Sequence, residues 1–271
     1  MIKAIFFDLD GTLLDDNKRI QKSSIEALQQ CREKGIKLYI STGRSPLLKK
    51  MLSLSAEEER LFNGGVFCNG ACVMVDGVRE YTCISEGTVL EIIEATKMYP
   101  GLNIALQMEN EIHGFRYPLA QYAYGKWGID EEETLNLKQS NKNSVVKILI
   151  FYENIIDSVT EIEEAFIERV QSLCKNIAVM YITDGGKVLQ IMYKDINKKE
   201  GIEKIRKING FKEEEVAVFG DDVNDMEMLS FYKNSVAMGN APEGIKKIAG
   251  MVTKSNNDNG IAYAVEHLLH V

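Results

Sequence analysis

Short apolar runs alternate with longer segments of helical period along this 271-residue chain, and that alternation limits the fold more than any other sequence feature. The first run covers residues 2–8. A helical pattern follows at 23–34, where apolar residues recur at three-residue spacing and Gly35 provides a stop signal. A second run at 36–41 precedes another helical pattern at 47–54. Strands that alternate with helices are typical of a parallel sheet covered by helices, so the chain begins as an α/β structure.

The same alternation returns near the C-terminus, after a middle region of different character. Outside the middle region, further strands are predicted at 65–68, 216–219, 235–238 and 251–253. Further helices are predicted at 225–231 and 241–249. The middle region has predicted helices at 87–98 and 156–173, a strand at 145–152, and hairpin turns at 109–111 and 184–186. The pattern therefore predicts a Rossmann-like parallel sheet core interrupted by an α+β insert, with boundaries at 1–82, 83–193 and 194–271.

Charge and composition restrict the partners. The chain has 40 acidic and 32 basic residues, a net charge of −8 and no basic run, which argues against a nucleic-acid or anionic-membrane partner. Apolar runs are strand-sized, and Asp8 interrupts the first one too early for a signal peptide. We therefore expect a cytoplasmic protein with a small-molecule partner. The five cysteines have no metal-binding spacing, so we expect reduced packing residues.

Two carboxylates follow the first predicted strand directly. In the sequence from Phe6 to Leu14, Asp8 and Asp10 are spaced by two, so an extended chain places both side chains in one pocket. At about 4 Å and an effective dielectric of about 20, two such charges repel by about 4 kcal/mol, so the pair needs a cation or a shared proton. An ordinary Asp-Gly turn after a strand explains these residues equally well.

Two further strand ends favour a functional site. The run at 216–219 leads into Gly220-Asp221-Asp222-Val223-Asn224-Asp225, whose oxygens are ligands that Mg²⁺ prefers. The run at 36–41 leads into Thr42-Gly43-Arg44, which offers donors to an anion, although a helix N-cap fits this segment too. A phosphate site also needs a fixed cation, and spacing alone does not choose between Lys198 and Lys199.

Four segments, taken in order, resemble the motifs of haloacid dehalogenase-like phosphohydrolases, most closely the Cof-type members with a large α+β cap. These segments are Asp8-Leu9-Asp10-Gly11-Thr12, Thr42-Gly43-Arg44, Lys198, and residues 220–225. Two shorter segments, Asn69-Gly70-Ala71 and Asn240-Ala241, resemble further landmarks of the family. The resemblance spans the whole chain and implies that the insert is the cap domain.

The resemblance also implies a role for each matching residue. Asp8 is then the nucleophile, and Asp10 is the general acid and base. Thr42 and Lys198 then hold phosphoryl oxygens, and Asn224 orients either the phosphate or Lys198. Gly43 and Arg44 complete the expected phosphate-binding residues, because their backbone N–H and guanidinium groups are donors to an anion. The expected Mg²⁺ ligands are Asp8, the backbone carbonyl of Asp10, Asp221 and Asp225. The expected function is hydrolysis of a small phosphorylated metabolite, such as a sugar phosphate, through an aspartyl phosphate.

The alternatives to this function are a phosphomutase, a phospho-acceptor signalling module and a nucleotide-binding protein. A phosphomutase of the same superfamily and a phospho-acceptor signalling module use similar residues and stay open as alternatives. Gly125-Lys126 does not form a P-loop, because Ala120 stands where the required glycine belongs.

Surface positions are expected for His113, His267 and His270. Several side chains in the insert are candidates for a sugar site or for simple packing, namely Tyr117, Tyr122, Tyr124, Lys126 and Trp127.

Overall fold

The computed structural model of the chain describes residues 1–52, 54–152, 161–183 and 186–269. The chain divides into two compact units. The first, called the core unit below, comprises Met1–Glu80 and Asn197–Val271, and the second, the insert unit, comprises Tyr81–Ile196. The sequence placed these boundaries after residues 82 and 193.

The core unit is built on one eight-stranded sheet with the strand order β14-β13-β12-β1-β2-β3-β4-β5. Its strands are β1 (Ala4–Phe7), β2 (Lys37–Ser41), β3 (Gly64–Phe67), β4 (Cys72–Val75), β5 (Val78–Tyr81), β12 (Val216–Gly220), β13 (Asn234–Ala237) and β14 (Met251–Val252). The run from β14 to β3 is parallel, and β4 joins it antiparallel. β1 and β12 are buried along their whole length, as the central strands of a sheet covered on both faces must be.

Helices connect these strands, as the sequence pattern predicted. They are α1 (Lys22–Glu33), α2 (Leu48–Leu52), α3 (Ala56–Glu59), α7 (Lys198–Asn209), α8 (Met226–Phe231), α9 (Glu243–Lys246) and α10 (Gly260–Leu269). On one sheet face, apolar side chains of β1, β3 and β12 pack against those of α7 and α8. The predicted α/β class with a parallel sheet core is therefore confirmed. The helix predicted at 241–249 is shorter than expected because Pro242 precedes its first residue and it ends at Lys246.

The insert unit is an α+β structure with its own six-stranded sheet, in the order β10-β11-β9-β6-β7-β8. Its strands are β6 (Leu102–Met108), β7 (His113–Phe115), β8 (Thr134–Asn136), β9 (Val145–Tyr152), β10 (Ala178–Thr183) and β11 (Val188–Tyr193). Its helices are α4 (Glu86–Thr96), α5 (Gln121–Trp127) and α6 (Glu164–Cys174). Alternate residues of β6 and β9 pack with α4 and α6 into one apolar core, which follows the period of two along each strand.

The expectations for the histidines, one hairpin turn and one helix differ from the structure or lie partly outside the described residues. The prediction that His113 lies at the surface is wrong, since its side chain is 1% exposed on the unit's sheet, whereas His267 is exposed as expected. His270 lies outside the described residues. The strands on either side of the turn predicted at 184–186 pair antiparallel, but residues 184 and 185 themselves lie outside the described residues. Part of the helix predicted at 156–173 and the side chain of Lys126 also lie outside them.

Two further observations bear on the expected partners and on the cysteines. None of the described helices is both long and apolar enough to cross a membrane. All five cysteines are free, four of them buried and Cys83 half-buried.

Candidate active site

The carboxyl ends of three neighbouring parallel strands define the candidate site. β12, β1 and β2 lie side by side, and the residues that follow them are Asp221, Asp8 and Thr42. From β1 the chain continues to β2 on one side, while β12 joins on the other, so the strand order reverses between β1 and β12. A crevice opens at such a reversal in open α/β sheets, and ligands bind there.

Three carboxylates and one ammonium group converge at this reversal. Asp8, Asp221 and Asp225 each contribute one oxygen to a group in which all distances are within 4.8 Å. The Nζ atom of Lys198 lies 2.6 Å from Oδ1 of Asp8 and 2.6 Å from Oδ1 of Asp225. Lys198 is 1% exposed, so its ammonium group has left water for these two carboxylates. One fixed cation balances one of three acids, which leaves a site suited to a further cation.

Burial and mutual repulsion shape the protonation of this cluster. Burial, with added repulsion from Asp225 and Asp221, holds the pKa of Asp8 well above its usual range, against the opposing charge of Lys198. Burial also raises the pKa of Asp221 to about 7, and Asp225 adds to the effect. Burial opposes the charged form of Lys198 as well, but Asp225 and Asp8 outweigh it and raise the pKa of that ammonium group. The lysine therefore stays charged while the acids compete for protons or a metal.

The carboxylate of Asp10 is not among the three that converge around Lys198, and it pairs with two cations instead. β1 ends at Phe7, and the carboxylate of Asp10 forms a bidentate ion pair with Arg44 at 2.6 and 2.8 Å. Lys18 Nζ donates a third hydrogen bond to it at 2.7 Å. Burial opposes ionisation of Asp10, but the bonds and charges of Arg44 and Lys18 prevail and lower its pKa to about 2. Arg44, predicted to bind phosphate, is thus engaged by Asp10 here.

The remaining predicted phosphate ligands lie around Asn69. Thr42 is 1% exposed, and its carbonyl oxygen accepts a hydrogen bond from the backbone N–H of Asn69 at 3.0 Å. The Nδ2 atom of Asn224 donates to Oδ1 of Asn69 at 3.0 Å. A side chain at Gly43 would meet the same Oδ1 atom at 2.9 Å, so only glycine fits without a shift. The sequence singled out Asn69 as a landmark but gave it no role, and the structure makes it the link between two motifs.

Lys198 rather than Lys199 reaches the cluster. Lys198 is the first residue of α7, whose N-cap is the side chain of Asn197, bonded to the backbone N–H of Glu200. Lys199 instead pairs with Glu200 and lies over the ring of Phe231. The first turn of α7 therefore projects Lys198, and not Lys199, toward the carboxylates.

Two residues that the sequence reasoning missed hold Asp221 in place. The hydroxyl of Thr12, which is fully buried, donates to Oδ1 of Asp221 at 2.7 Å. Asn240 donates to the carbonyl oxygen of Gly11 at 2.8 Å, and its Nδ2 lies 3.4 Å from Oδ2 of Asp221. Both residues lie in segments that resemble the family's motifs. The sequence does not reveal their partner, because Asp221 is 209 positions from Thr12 and 19 positions from Asn240.

Gly11 permits the close approach of its loop to Asp221, which gives a testable prediction. Its φ is +78°, and a Cβ there would lie 2.3 Å from Oδ2 of Asp221. We expect Gly11→Ala to lower turnover of p-nitrophenyl phosphate by about 100-fold, because a displacement of 1 Å in a reacting group has that order of effect. Gly35→Ala is the matched control, since Gly35 has φ +76° and nothing within 4 Å. Equal turnover in the two variants would contradict the prediction.

The donor set fits a hard divalent cation. Three carboxylates from two loops present oxygens within 4.8 Å of one another, and oxygen donors of this kind suit Mg²⁺ or Ca²⁺ better than a soft metal. Among the described residues the converging side chains are Asp8, Asp221 and Asp225. The carboxylate of Asp10 is bonded to Arg44 and Lys18, and its backbone carbonyl is the atom to which the resemblance gives a ligand role.

Comparison with known proteins identifies the family. The model of the haloacid dehalogenase-like hydrolases matches residues 5–265. The chain belongs to this family. As a haloacid dehalogenase-like hydrolase it is 27% identical to the Bacillus subtilis 5-amino-6-(5-phospho-D-ribitylamino)uracil phosphatase YitU, over 95% of this chain and 94% of that protein. It is 26% identical to the Bacillus subtilis phosphatase YwpJ, over 99% and 100% of the two chains.

Solved structures lead to the same family. A structure described as the HAD subclass IIB sugar phosphatase BT4131 superposes with a TM-score of 0.79 at 26% identity, covering 99% of this chain and 100% of that one. The predicted family and the predicted enzyme class, a phosphatase of the haloacid dehalogenase superfamily, are thereby confirmed.

Proposed function

We propose that this hydrolase is a Mg²⁺-dependent phosphatase that releases phosphate from a small phosphorylated metabolite, a sugar or polyol phosphate, through an aspartyl phosphate on Asp8. The convergence of Asp8, Asp221 and Asp225 within 4.8 Å around the buried Lys198 carries the proposal. An anionic nucleophile attacks an anionic ester only where positive charge offsets their repulsion. Lys198 supplies one positive charge, and the three carboxylates would bind a divalent cation that supplies the other.

In the first step, a carboxylate oxygen of Asp8 forms a bond to phosphorus while the bond from phosphorus to the ester oxygen breaks. Asp10 gives its proton to that leaving oxygen. Lys198, Thr42 and the amide of Asn224 hold phosphoryl oxygens and orient phosphorus in line with Asp8. A bound Mg²⁺ would be held by Asp8, Asp221, Asp225 and the carbonyl of Asp10, and it would neutralise charge on the phosphoryl oxygens.

In the second step, water attacks phosphorus and gives a proton to Asp10, while the bond between phosphorus and Asp8 breaks to release inorganic phosphate. The ion pair of Asp10 with Arg44 and Lys18 stabilises the unprotonated form that accepts this proton. The first step needs the protonated form, so that ion pair must open when substrate binds. An incoming phosphate is a competing partner for both cations, which agrees with the phosphate-binding role predicted for Arg44.

Two names among the relatives support an organic part that carries hydroxyl groups. YitU is named for a substrate with a phosphorylated ribityl chain, and the BT4131 structure is described as that of a sugar phosphatase. A cytoplasmic location stays a prediction.

The deciding experiment is phosphate release from a panel of sugar phosphates, polyol phosphates, nucleotides and phosphorylated cofactors, with Asp8→Asn as the blank. We expect release from sugar or polyol phosphates with Mg²⁺ and none without it. Isomerised product without free phosphate would indicate a mutase. A phosphoprotein that persists for many minutes would indicate a phospho-acceptor module.

Mg²⁺ itself should stabilise the folded protein. The ion should bind the native state because it relieves repulsion among the three acids. A ligand that binds the native state alone adds about 2.7 kcal/mol to the free energy of unfolding at a concentration 100 times its dissociation constant. We expect the melting temperature to rise in millimolar Mg²⁺ relative to EDTA, and Asp221→Asn to reduce the rise. An unchanged melting temperature in the wild type would exclude a Mg²⁺ site at this cluster.

A further inference from the structure

The turn that joins β3 to β4 in the core unit has an unusual backbone conformation. Its three residues, Cys68, Asn69 and Gly70, have φ angles of +50°, +54° and +109°. Positive φ is uncommon for residues other than glycine, and two such residues in succession cost free energy, so the surroundings must hold them in place. Residues held in this way cluster at functional sites, and the contacts of the turn indicate what its shape serves.

Backbone hydrogen bonds fix this turn to the loop that follows β2. The N–H of Cys68 donates to the carbonyl oxygen of Arg44 at 2.9 Å, and the N–H of Asn69 donates to that of Thr42 at 3.0 Å. These two carbonyl groups lie on either side of Gly43, where a Cβ would lie 2.9 Å from Oδ1 of Asn69. The turn and the loop therefore form one support.

The third residue of the turn lies against the start of α7. A Cβ on Gly70 would lie 2.3 Å from the carbonyl oxygen of Asn197, the residue before Lys198. One turn further along α7, a Cβ on Gly201 would lie 2.4 Å from a methyl group of Val66 on β3. The helix thus packs directly on the strand and its turn, and the backbone that carries Lys198 is fixed by the same support.

The side chain of Asn69 holds the amide of Asn224. The Nδ2 atom of Asn224 donates to Oδ1 of Asn69 at 3.0 Å, and Asn69 is buried, so water is excluded from its side of this bond. An asparagine amide has two N–H donors at one end and an acceptor oxygen at the other. With one N–H bonded to Asn69, the second N–H of Asn224 has a single direction left. Rotated by half a turn, the same amide would offer its oxygen to an anion.

We propose that Asn69 is a positioning residue for phosphoryl transfer, which fixes the amide of Asn224 so that its second N–H, and not its oxygen, meets the phosphoryl group. The inference rests on the proposed function for the identity of that group. Through the turn, Asn69 also relates Asn224 to the loop of Thr42 and to the start of α7, so donors from three separate segments are held in place before substrate binds. Donors placed in advance need no reorganisation during the reaction.

A double-mutant cycle separates positioning from simple support of the fold. Asn69→Gly removes the amide, and glycine adopts the positive φ without strain. We expect it to lower kcat/KM for p-nitrophenyl phosphate about tenfold or more, the order of a lost hydrogen bond to a charged group. In Asn224→Ala the same change should cost less than about twofold, because the amide that Asn69 orients is already absent. Asn176→Gly is the matched control, since Asn176 is exposed with φ of +65°, and it should keep the wild-type value.

A wild-type kcat/KM in Asn69→Gly would overturn the proposal. Equal losses in the two backgrounds would overturn it too, and would mean that Asn69 supports the fold alone. If Asn69→Gly fails to fold by circular dichroism, Asn69→Ser, which also lacks the amide, takes its place in the cycle.

Calorimetric titration with orthovanadate, a phosphate analogue, in the presence of Mg²⁺ repeats the cycle without turnover. Non-additive losses of vanadate affinity in a protein that releases no phosphate would reject the phosphatase mechanism alone. Turnover with additive losses would reject the role of Asn69 alone. A wild type that neither binds vanadate nor releases phosphate would overturn both.

Discussion

Asp8→Asn should lower phosphate release by about 10⁴-fold or more, the order of loss found when a catalytic nucleophile is removed. The amide has the size of the carboxylate but no anionic oxygen to attack phosphorus. The fold should survive, because burial and the neighbouring acids hold the pKa of Asp8 above its usual range, so the charged form is disfavoured there already. We expect a melting temperature equal to or above that of the wild type, measured in EDTA.

Asp222→Asn is the matched control for this variant. Asp222 lies in the same loop as Asp221 but is exposed, and its carboxylate bonds to the backbone N–H of Val223 outside the converging group. It should retain turnover within a fewfold of the wild type. Turnover in Asp8→Asn above a tenth of the wild-type rate would remove Asp8 from the nucleophile role. A large loss in Asp222→Asn would show that the loop as a whole is sensitive.

Lys198→Met should strongly destabilise the folded protein. It leaves Asp8 and Asp225 buried without the ammonium group that lies 2.6 Å from each, and removing one partner of a buried ion pair costs about 3–5 kcal/mol. Phosphate release should fall with it, since the proposed mechanism uses the same charge on the phosphoryl group. Urea unfolding and phosphate release measured on one preparation check both effects.

The pH dependence of this loss separates lost charge from lost packing. Without Lys198 the acids repel one another more strongly, so the native cluster binds protons more readily than the unfolded chain does. A carboxyl whose pKa is raised in the folded state stabilises it at low pH and loses that contribution as pH rises. The deficit of Lys198→Met should therefore be smaller at pH 6 than at pH 8, and Mg²⁺ should reduce it. Lys199→Met, at the next residue of α7, should change stability by less than about 1 kcal/mol, because the ion pair with Glu200 that it loses is partly exposed. A deficit independent of both pH and Mg²⁺ would indicate packing instead.

The sequence predicted the site as far as local patterns allow. Apolar runs that end in Asp8, Thr42 and Asp221 are local signals, and parallel strands bring their carboxyl ends together, so the meeting of these residues could be inferred. The ion pair between Asp10 and Arg44 could not, because it depends on how the loop after β1 turns. β1 ends at Phe7, so the extended geometry that the sequence reasoning assumed from Asp8 to Asp10 does not hold.

Some of what was missed did leave a signal in the sequence. The hairpin of β4 and β5 turns at Asp76-Gly77, a pair favoured in two-residue hairpin loops, and both residues have positive φ. The burial of His113 left none, because two residues of positive φ just before β7, Asn110 and Glu111, set which way that short strand faces. Burial there follows from sheet register, which a single strand of three residues does not specify.

The place of β12 beside β1 has a consequence for how the protein is made. β1 lies between β2, which follows within about 30 residues, and β12, whose register partner for Phe7 is Phe219. At about 5–20 residues per second, a ribosome needs roughly 10–40 s to add that neighbour. Throughout this interval one edge of a fully apolar strand has no partner, and such edges recruit other chains. Nascent chains stalled before residue 216 should therefore depend on chaperones to remain dispersed.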